Sequence, residues 1–253
     1  MAVNKSRENH PDSWTPQLLR DPHRAPDKRH RVQLMFAAIA RTYDLNNRLH
    51  SLWMDQRWRR KAVQLAALTG SETVLDVACG TGDLTIAFAH ALNSRRAIGL
   101  DFTHEMLRLG QHKAPDIRWI NGDAMRLPLP DASADVVSIA FGIRNVSDPP
   151  AALREFHRVL RPGGRLIILE FSLPRNRLMR GLYNFFFRRI LPRTATWISR
   201  DRTRAYRYLP ESVNTFIAPR QMLSLMDQAG FQQTQAYSMT LGICVCYRGL
   251  RSS

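Results

Sequence analysis

The chain has 253 residues, 44% hydrophobic and 23% charged, which suits one large folded domain and excludes a mostly disordered, collagenous or coiled-coil protein. Three cysteines without a C-x-x-C pair exclude a disulfide framework and a zinc ribbon, so a reducing, cytoplasmic setting is expected. The net charge of +16 is uneven: residues 1–61 carry +7, residues 62–174 carry −1 and residues 175–253 carry +10, so two basic flanks enclose a nearly neutral centre.

Residues 1–30 scatter Pro11, Pro16, Pro22 and Pro26 among charged side chains without periodicity, which predicts a basic, partly disordered arm. Over residues 31–70, apolar side chains such as Val32, Met35, Phe36 and Ile39 recur at helical spacing and predict a helical front segment. The run TVLDVA at 73–78 predicts a strand entering the tight turn Cys79-Gly80-Thr81-Gly82. Helices over 84–92, 105–113 and 149–160 then alternate with strands over 97–100, 117–120, 135–141 and 165–171, and Arg161-Pro162-Gly163-Gly164 breaks the last helix from its strand. This alternation predicts an α/β core over 71–174, a mostly parallel sheet with helices on both faces. A basic aromatic insert fills 175–218. A helix over 219–229 and an antiparallel strand pair over 232–239 and 241–247 close the single domain at 219–253. Cys244 and Cys246 alternate on one face of the last strand and are expected to be buried packing residues, with no metal site.

A Gly-x-Gly turn after the first strand sits where open α/β sheets bind ligands. The third glycine of a dinucleotide fingerprint is replaced by Thr85, and no Gly-Lys-Ser/Thr follows, so phosphate binding is disfavoured. Acids surround the turn instead: Asp76, Asp83, Asp101 and Asp123. Asp101, closing the second strand, is placed to accept both hydroxyls of a ribose, and the further acids suit a ligand carrying an ammonium and a sulfonium. S-adenosylmethionine is such a ligand.

The segment Val74-Leu75-Asp76-Val77-Ala78-Cys79-Gly80-Thr81-Gly82-Asp83 resembles the first motif of Rossmann-type class I methyltransferases, which implies a seven-stranded sheet. Four more segments narrow the resemblance: Tyr43-Asp44-Leu45-Asn46-Asn47 with His50-Ser51-Leu52-Trp53; Phe141-Gly142-Ile143-Arg144-Asn145-Val146; Arg158 to Gly164 leading to Glu170-Phe171-Ser172; and Tyr206-Arg207-Tyr208-Leu209-Pro210-Glu211-Ser212. Together they resemble the C-methyltransferases of menaquinone and ubiquinone biosynthesis. The resemblance implies S-adenosylmethionine as cofactor, held by Asp76, Gly80, Thr81 and Gly82, by Asp101 at the ribose, and by Asp123 and Ala124 beside the adenine. Ala140 stands where some members place a serine before Phe-Gly, so this wall of the cofactor site lacks a hydroxyl.

The reaction implied is methylation of a ring carbon of a prenylated quinol, demethylmenaquinol to menaquinol first, with a ubiquinone-pathway benzoquinol as the alternative. Such a carbon becomes nucleophilic when a ring hydroxyl ionises, so the site must stabilise a phenolate. Arg144 and Asn145, after the fourth strand, are the candidates for gripping the ring oxygens, and Tyr43 and His50 for a lid that accepts or relays a proton. The alternative for Arg144 is an ion pair with an acid such as Asp148, and for His50 a packing role.

Residues 175–207 hold ten arginines and one acid, interleaved with Leu178, Leu182, Tyr183 and Phe185 to Phe187. This pattern predicts either a core-packing helix or an amphipathic helix on an anionic membrane surface, where a prenylated substrate would be met. No signal peptide or stretch of about 18 apolar residues accompanies it, so peripheral association with the inner membrane face is expected, with a homo-oligomer left open. From a different class, an RNA-binding methyltransferase would explain the pI of about 11.0, but no nucleic-acid module or Asn/Asp-Pro-Pro-Tyr/Phe motif is present, and no nucleic-acid partner is expected.

Overall fold

The computed structural model describes residues 13–92, 96–199 and 203–252. Seven strands form one sheet: β1 (Val74–Val77), β2 (Ala97–Asp101), β3 (Arg118–Asn121), β4 (Ala134–Ala140), β5 (Leu160–Phe171), β6 (Phe231–Met239) and β7 (Cys244–Arg251). Their order is β3-β2-β1-β4-β5-β7-β6. The first five run parallel, and β7 pairs antiparallel with both β5 and β6. The chain builds outward from β1 to β3 and then returns to β4 on the other side, so a topological switch point opens at the carboxyl ends of β1 and β4.

Strand alternation supplies two cores. Leu75, Val77, Val137, Ile139, Leu166 and Ile168 face α5 (Pro149–Val159) and α9 (Pro219–Gln228). Val74, Val136, Ile167 and Leu169 face the other way, onto Trp58 and Ala62 of α2 (Met54–Leu65) and Phe88 of α3 (Asp83–Leu92). Cys244 and Cys246 are buried in this second core, and burial pushes the Cys246 thiol up to about 12. A third core lies above the sheet, where α1 (Lys28–Ser51) meets α6 (Arg177–Phe185), a π-turn (Phe186–Ile190), α7 (Leu191–Ser199) and α8 (Ala205–Asn214).

Three expectations change. The arm is folded from Ser13 onward: Trp14 is fully buried and lies 4.3 Å from the Tyr208 ring, and two short turns of 3₁₀ helix lead into α1. One large aromatic side chain anchors a segment that shows no periodicity. Residues 1–12 of the predicted arm lie outside the described residues. Arg161-Pro162-Gly163-Gly164 does not break β5 but forms an irregularity within it, with a register shift against β4. The basic insert packs one face and exposes another: Tyr183, Phe187, Leu191 and Ala195 are buried in the third core, whereas Leu178, Leu182 and Phe185 are exposed. Among the described residues no helix is long and apolar enough to cross a membrane.

Asp76 shows how strictly the pleat sorts side chains. It stands opposite Ser138 in the β1–β4 ladder, on the α3 face, and accepts hydrogen bonds from Ser138 Oγ at 2.6 Å and Thr85 Oγ1 at 2.7 Å. Burial raises its carboxyl to about 6 despite these donors. The folded protein therefore holds a proton there between about pH 4 and 6 that the unfolded chain releases, so this contribution to stability is full below about pH 4 and lost as pH rises through about 6. Across that window wild type is expected to lose about 2–3 kcal/mol relative to Asp76→Asn in urea unfolding at stepped pH. Parallel stability curves for the two proteins would contradict the assignment.

Candidate active site

The residues that end β1 and β4, Ala78 and Phe141, both have positive φ, 49° and 56°, a costly conformation for residues with side chains. Both residues line the smaller cavity at the switch point. Gly142 follows because a Cβ there would stand 2.8 Å from the Cβ of Ala78. The turn itself is fixed by Asp101, whose Oδ2 accepts Gly80 N–H at 2.8 Å while Oδ1 accepts Thr103 N–H at 2.8 Å. Each oxygen keeps a lone pair beyond these bonds, and burial pushes this carboxyl up against the pull of donors from Thr103, Gly80 and Phe102.

Two cavities meet here. The smaller, about 70 Å³, is lined by Gly80, Asp101, Asp123, Ala124, Ala140 and Asn145, with Phe102, Met106 and Met125 as apolar walls. The larger, about 300 Å³, is rich in aromatic rings and is lined by His50, Trp58, Arg59, Arg144, Phe171 and Tyr206 among others. Phe36, Tyr43 and Phe141 line both, so these three rings form the partition.

The predicted site residues separate accordingly. Gly80, Asp101, Asp123, Ala124 and Ala140 come together in the smaller cavity, where Arg29 of α1 pairs with Asp123 at 2.9 Å. Asp76, Thr81 and Gly82 do not line it. Asp76 points to α3 for the reason given above. The Thr81 hydroxyl is held by Asp44 of α1 at 2.5 Å, beside Lys113 of α4 (His104–Lys113), which also pairs with Asp44 and Asp83 at 2.7 Å each. Gly82, with φ 84°, turns its bare α-carbon toward Trp119, whose ring would be 2.2 Å from an added Cβ. Its glycine is required by packing on the far side of the turn.

Arg144 and Asn145 fall on opposite sides of the partition, Arg144 in the larger cavity and Asn145 in the smaller. Arg144 is not paired with Asp148, which caps α5; its Nη1 donates to Glu170 Oε1 at 2.5 Å and to the Phe141 carbonyl at 2.7 Å. Asn145 Oδ1 accepts the Tyr208 hydroxyl at 2.8 Å. Tyr43 is half-buried in the partition, and desolvation raises its phenol against the opposing hydrogen bond of Asn47 and the charges of Arg59 and Arg144, so its proton stays on. His50 lies in the larger cavity away from the cofactor side. Its Nδ1 faces the Asn46 carbonyl and must carry the proton, leaving Nε2 to the Thr194 hydroxyl, each at 2.8 Å.

Four participants escaped the sequence reading. Lys28 Nζ donates to the carbonyls of Arg144 and Val146 at 2.9 and 2.7 Å, and burial beside Arg144 brings its amine down to about 8. Glu170 is the counter-ion of Arg144. Arg59 and Asp55 form a second buried pair at 2.6 Å in the wall of the larger cavity. Their i, i+4 spacing was visible, but on a helix rich in arginine it looks like an exposed surface pair; only the packing of Trp58 and Ala62 on the sheet turns that face inward.

The sheet order and the Asp101-anchored turn define a Rossmann-type S-adenosylmethionine-dependent methyltransferase. Solved structures share this fold at low identity. The methyltransferase bound to the Trm112 activator of Haloferax volcanii superposes with a TM-score of 0.62 at 17% identity, over 86% of this chain and 98% of its own. A methyltransferase of Thermotoga maritima gives 0.56 at 20%, over 86% and 100%. Residues 24–251 match the model of the ubiE/COQ5 methyltransferase family. The ubiquinone/menaquinone biosynthesis C-methyltransferase UbiE of Syntrophotalea carbinolica is 44% identical, over 86% of this chain and 93% of its own length. The demethylmenaquinone methyltransferase of Deinococcus radiodurans is 43% identical, over 88% and 93%. The chain belongs to the ubiE/COQ5 methyltransferase family.

The smaller cavity fits the cofactor: Asp101 has lone pairs left for two ribose hydroxyls, and Phe102, Met106 and Ala124 offer apolar surfaces for a flat base. Asp101→Ala should weaken S-adenosylmethionine binding at least tenfold in calorimetry, because it removes the ribose acceptor and frees the turn. Equal affinity in the variant would remove Asp101 from the cofactor site.

Proposed function

We propose that the chain methylates a ring carbon of a prenylated quinol, with demethylmenaquinol as its substrate. The observation that carries this reading is the larger cavity, an aromatic chamber meeting the cofactor cleft at the Tyr43–Phe141 partition and holding two buried guanidinium–carboxylate pairs. A flat aromatic ring fits such walls, and fixed cations suit a ring hydroxyl that must ionise before its neighbouring carbon can react.

Bound S-adenosylmethionine supplies an electrophilic methyl group. The chain's own residues do the rest. Tyr43 and Phe141 orient the ring at the partition, and Arg144 supplies positive charge from the wall. Asn145 stands on the cofactor side, held by Tyr208. Tyr43, which keeps its proton, acts as a donor or relay rather than as a base, and His50, its Nε2 held by the Thr194 hydroxyl, stands near the mouth as a second relay.

The same reading assigns the exposed apolar side chains to a membrane surface. Leu52 lines the larger cavity and is 79% exposed; Trp53, Leu178, Leu182, Phe185 and Leu241 are also exposed. With the arginines of the insert they form a basic and apolar rim suited to anionic lipid at the inner membrane face, where a prenyl tail would remain while the ring enters. Arg188 is already paired with Glu211, so Arg189 and Arg193 are the residues to reverse. In co-sedimentation with phosphatidylglycerol vesicles, Arg189→Glu with Arg193→Glu should lower binding about tenfold at low salt. Binding that is unmoved would sink the membrane assignment.

The deciding assay offers labelled S-adenosylmethionine with chemically reduced demethylmenaquinone and, in parallel, with the demethylated ubiquinone precursor. Methylated naphthoquinone as the main product is expected. A benzoquinone product alone would transfer the chain to the ubiquinone pathway, and no product from either, with cofactor bound, would overturn the quinol reading.

A further inference from the structure

Three residues that line the larger cavity each carry a buried polar atom with no hydrogen-bond partner among the described residues: Arg59 Nε, Asn46 Oδ1 and Tyr183 Oη. Buried polar groups are almost always satisfied, so a cluster of orphans in one chamber points to a polar ligand. Each is fixed. Arg59, 7% exposed, is held by Asp55 at 2.6 Å and lies over the Phe141 ring at 5.5 Å, beside the partition. Asp55 is itself held by the Ser51 hydroxyl at 2.9 Å and the Gln56 amide at 3.1 Å. Asn46, 2% exposed, donates its amide to the Tyr206 hydroxyl at 2.9 Å, which leaves its carbonyl oxygen as the free atom.

The contrast with Arg144 is chemical. Arg144 spends Nη1 on Glu170 and Phe141 and Nε on Ser212, so these two nitrogens are engaged in building the wall and only Nη2 is left. Arg59 retains an N–H with nothing to receive it. A quinol poised for ring methylation has two unlike oxygens, one ionised and needing a donor, the other still a hydroxyl and needing an acceptor. Arg59 can only donate, and the free atom of Asn46 can only accept.

We propose that Arg59 and Asn46 tell the two ring oxygens apart: Arg59 donates to the oxygen that ionises, and Asn46 Oδ1 accepts from the hydroxyl that keeps its proton. The inference rests on the quinol reading. Arg59 and Asn46 are then catalytic residues, and Asp55 is a positioning residue that keeps the guanidinium beside Phe141. The ionising hydroxyl gives its proton to solvent, and Arg59 stays protonated throughout. No bond of the protein changes. Because the protonated oxygen is recognised separately, the site discriminates against a substrate in which that oxygen is alkylated.

The test uses the full chain and two stable probes, 1,4-dihydroxynaphthalene kept reduced and its monomethyl ether, 4-methoxy-1-naphthol, with binding and ionisation followed by absorbance. Wild type should bind the diol at least fivefold more tightly than the ether and ionise the bound hydroxyl at lower pH than in water. Asn46→Leu should erase the preference between probes while leaving the ionisation shift. The double variant Asp55→Asn with Arg59→Gln, which removes both charges together and so avoids an unpaired buried acid, should erase the ionisation shift. Its kcat for reduced demethylmenaquinone should fall about 100-fold at neutral pH with KM little changed, and the deficit should narrow as pH rises. Arg59→Lys should restore part of that rate. A double variant that binds S-adenosylmethionine normally and keeps kcat within threefold would overturn the proposal, as would a wild type indifferent to the ether. If wild type methylates no quinol, the quinol reading fails, while the probe measurements still decide whether Arg59 and Asn46 divide the two oxygens.

Discussion

Arg144 and Glu170 form an ion pair that is buried on both sides, and it ties together parts of the chain that are far apart in sequence. Glu170 Oε1 accepts from Arg144 Nη1 and Phe171 N–H, and Oε2 accepts from Arg144 N–H. Arg144 in turn holds the Phe141 carbonyl and Ser212 of α8, while its own carbonyl receives Lys28 of α1. Two ions taken out of water cost several kcal/mol each, and only a network that uses nearly every donor and acceptor offsets this. The consequence is geometric. The turn after β4 has one position, Phe141 is held at its positive φ, and the wall between the cavities stands where the first and fourth strands end.

That wall has an ordered stack on it. The Phe141 and Phe171 rings lie 4.5 Å apart, Arg59 lies over Phe141 and Arg144 over Phe171, so two aromatic rings are flanked by a cation at each end. Arg59 is neutralised by Asp55 on its own helix, and Arg144 by Glu170 of β5. The chamber is therefore apolar in bulk and carries no net charge from these pairs, yet its walls hold fixed dipoles that need little reorganisation when charge develops inside. The two pairs differ in one nitrogen: Arg59 Nε has no partner, whereas Arg144 Nε is held by Ser212.

Much of this was legible in the sequence because it depends on local chemistry. The strand run before Gly80 and the alternation of β-rich and helical segments mark out the sheet, and the acid closing β2 lines the smaller cavity. What was missed depends on packing at long range. Gly82 was read as part of the cofactor turn, but its missing side chain answers to Trp119, 37 residues on, a relation no local pattern contains. Asp76 has the spacing of a cleft residue and the pleat of a core residue, and the pleat wins because a side chain cannot change faces without changing register. The Asp55–Arg59 pair and Trp14 were hidden for the opposite reason, since polar or unpatterned segments reveal burial only once the partner surface is known.

The basic insert shows how one helix can carry two apolar faces without conflict. Tyr183, Phe187, Leu191 and Ala195 repeat every four residues, and at 3.6 residues per turn such a row drifts round an α-helix. The π-turn over Phe186–Ile190, with its longer i→i+5 bonding, absorbs that drift and keeps the row against α1. Leu178, Leu182 and Phe185 are then left on the outside by the same geometry, and core packing gives them no role. Leu52, Trp53 and Leu241, exposed on backbone of positive φ, belong to the same category. The positive φ at Leu52 and Trp53 serves the turn from α1 into α2, but the three side chains add nothing to a core, which leaves their apolar surface without a place inside the fold. Under the proposed function it lies in the bilayer, with the reacting ring enclosed between buried arginines and the apolar mouth left open for the tail.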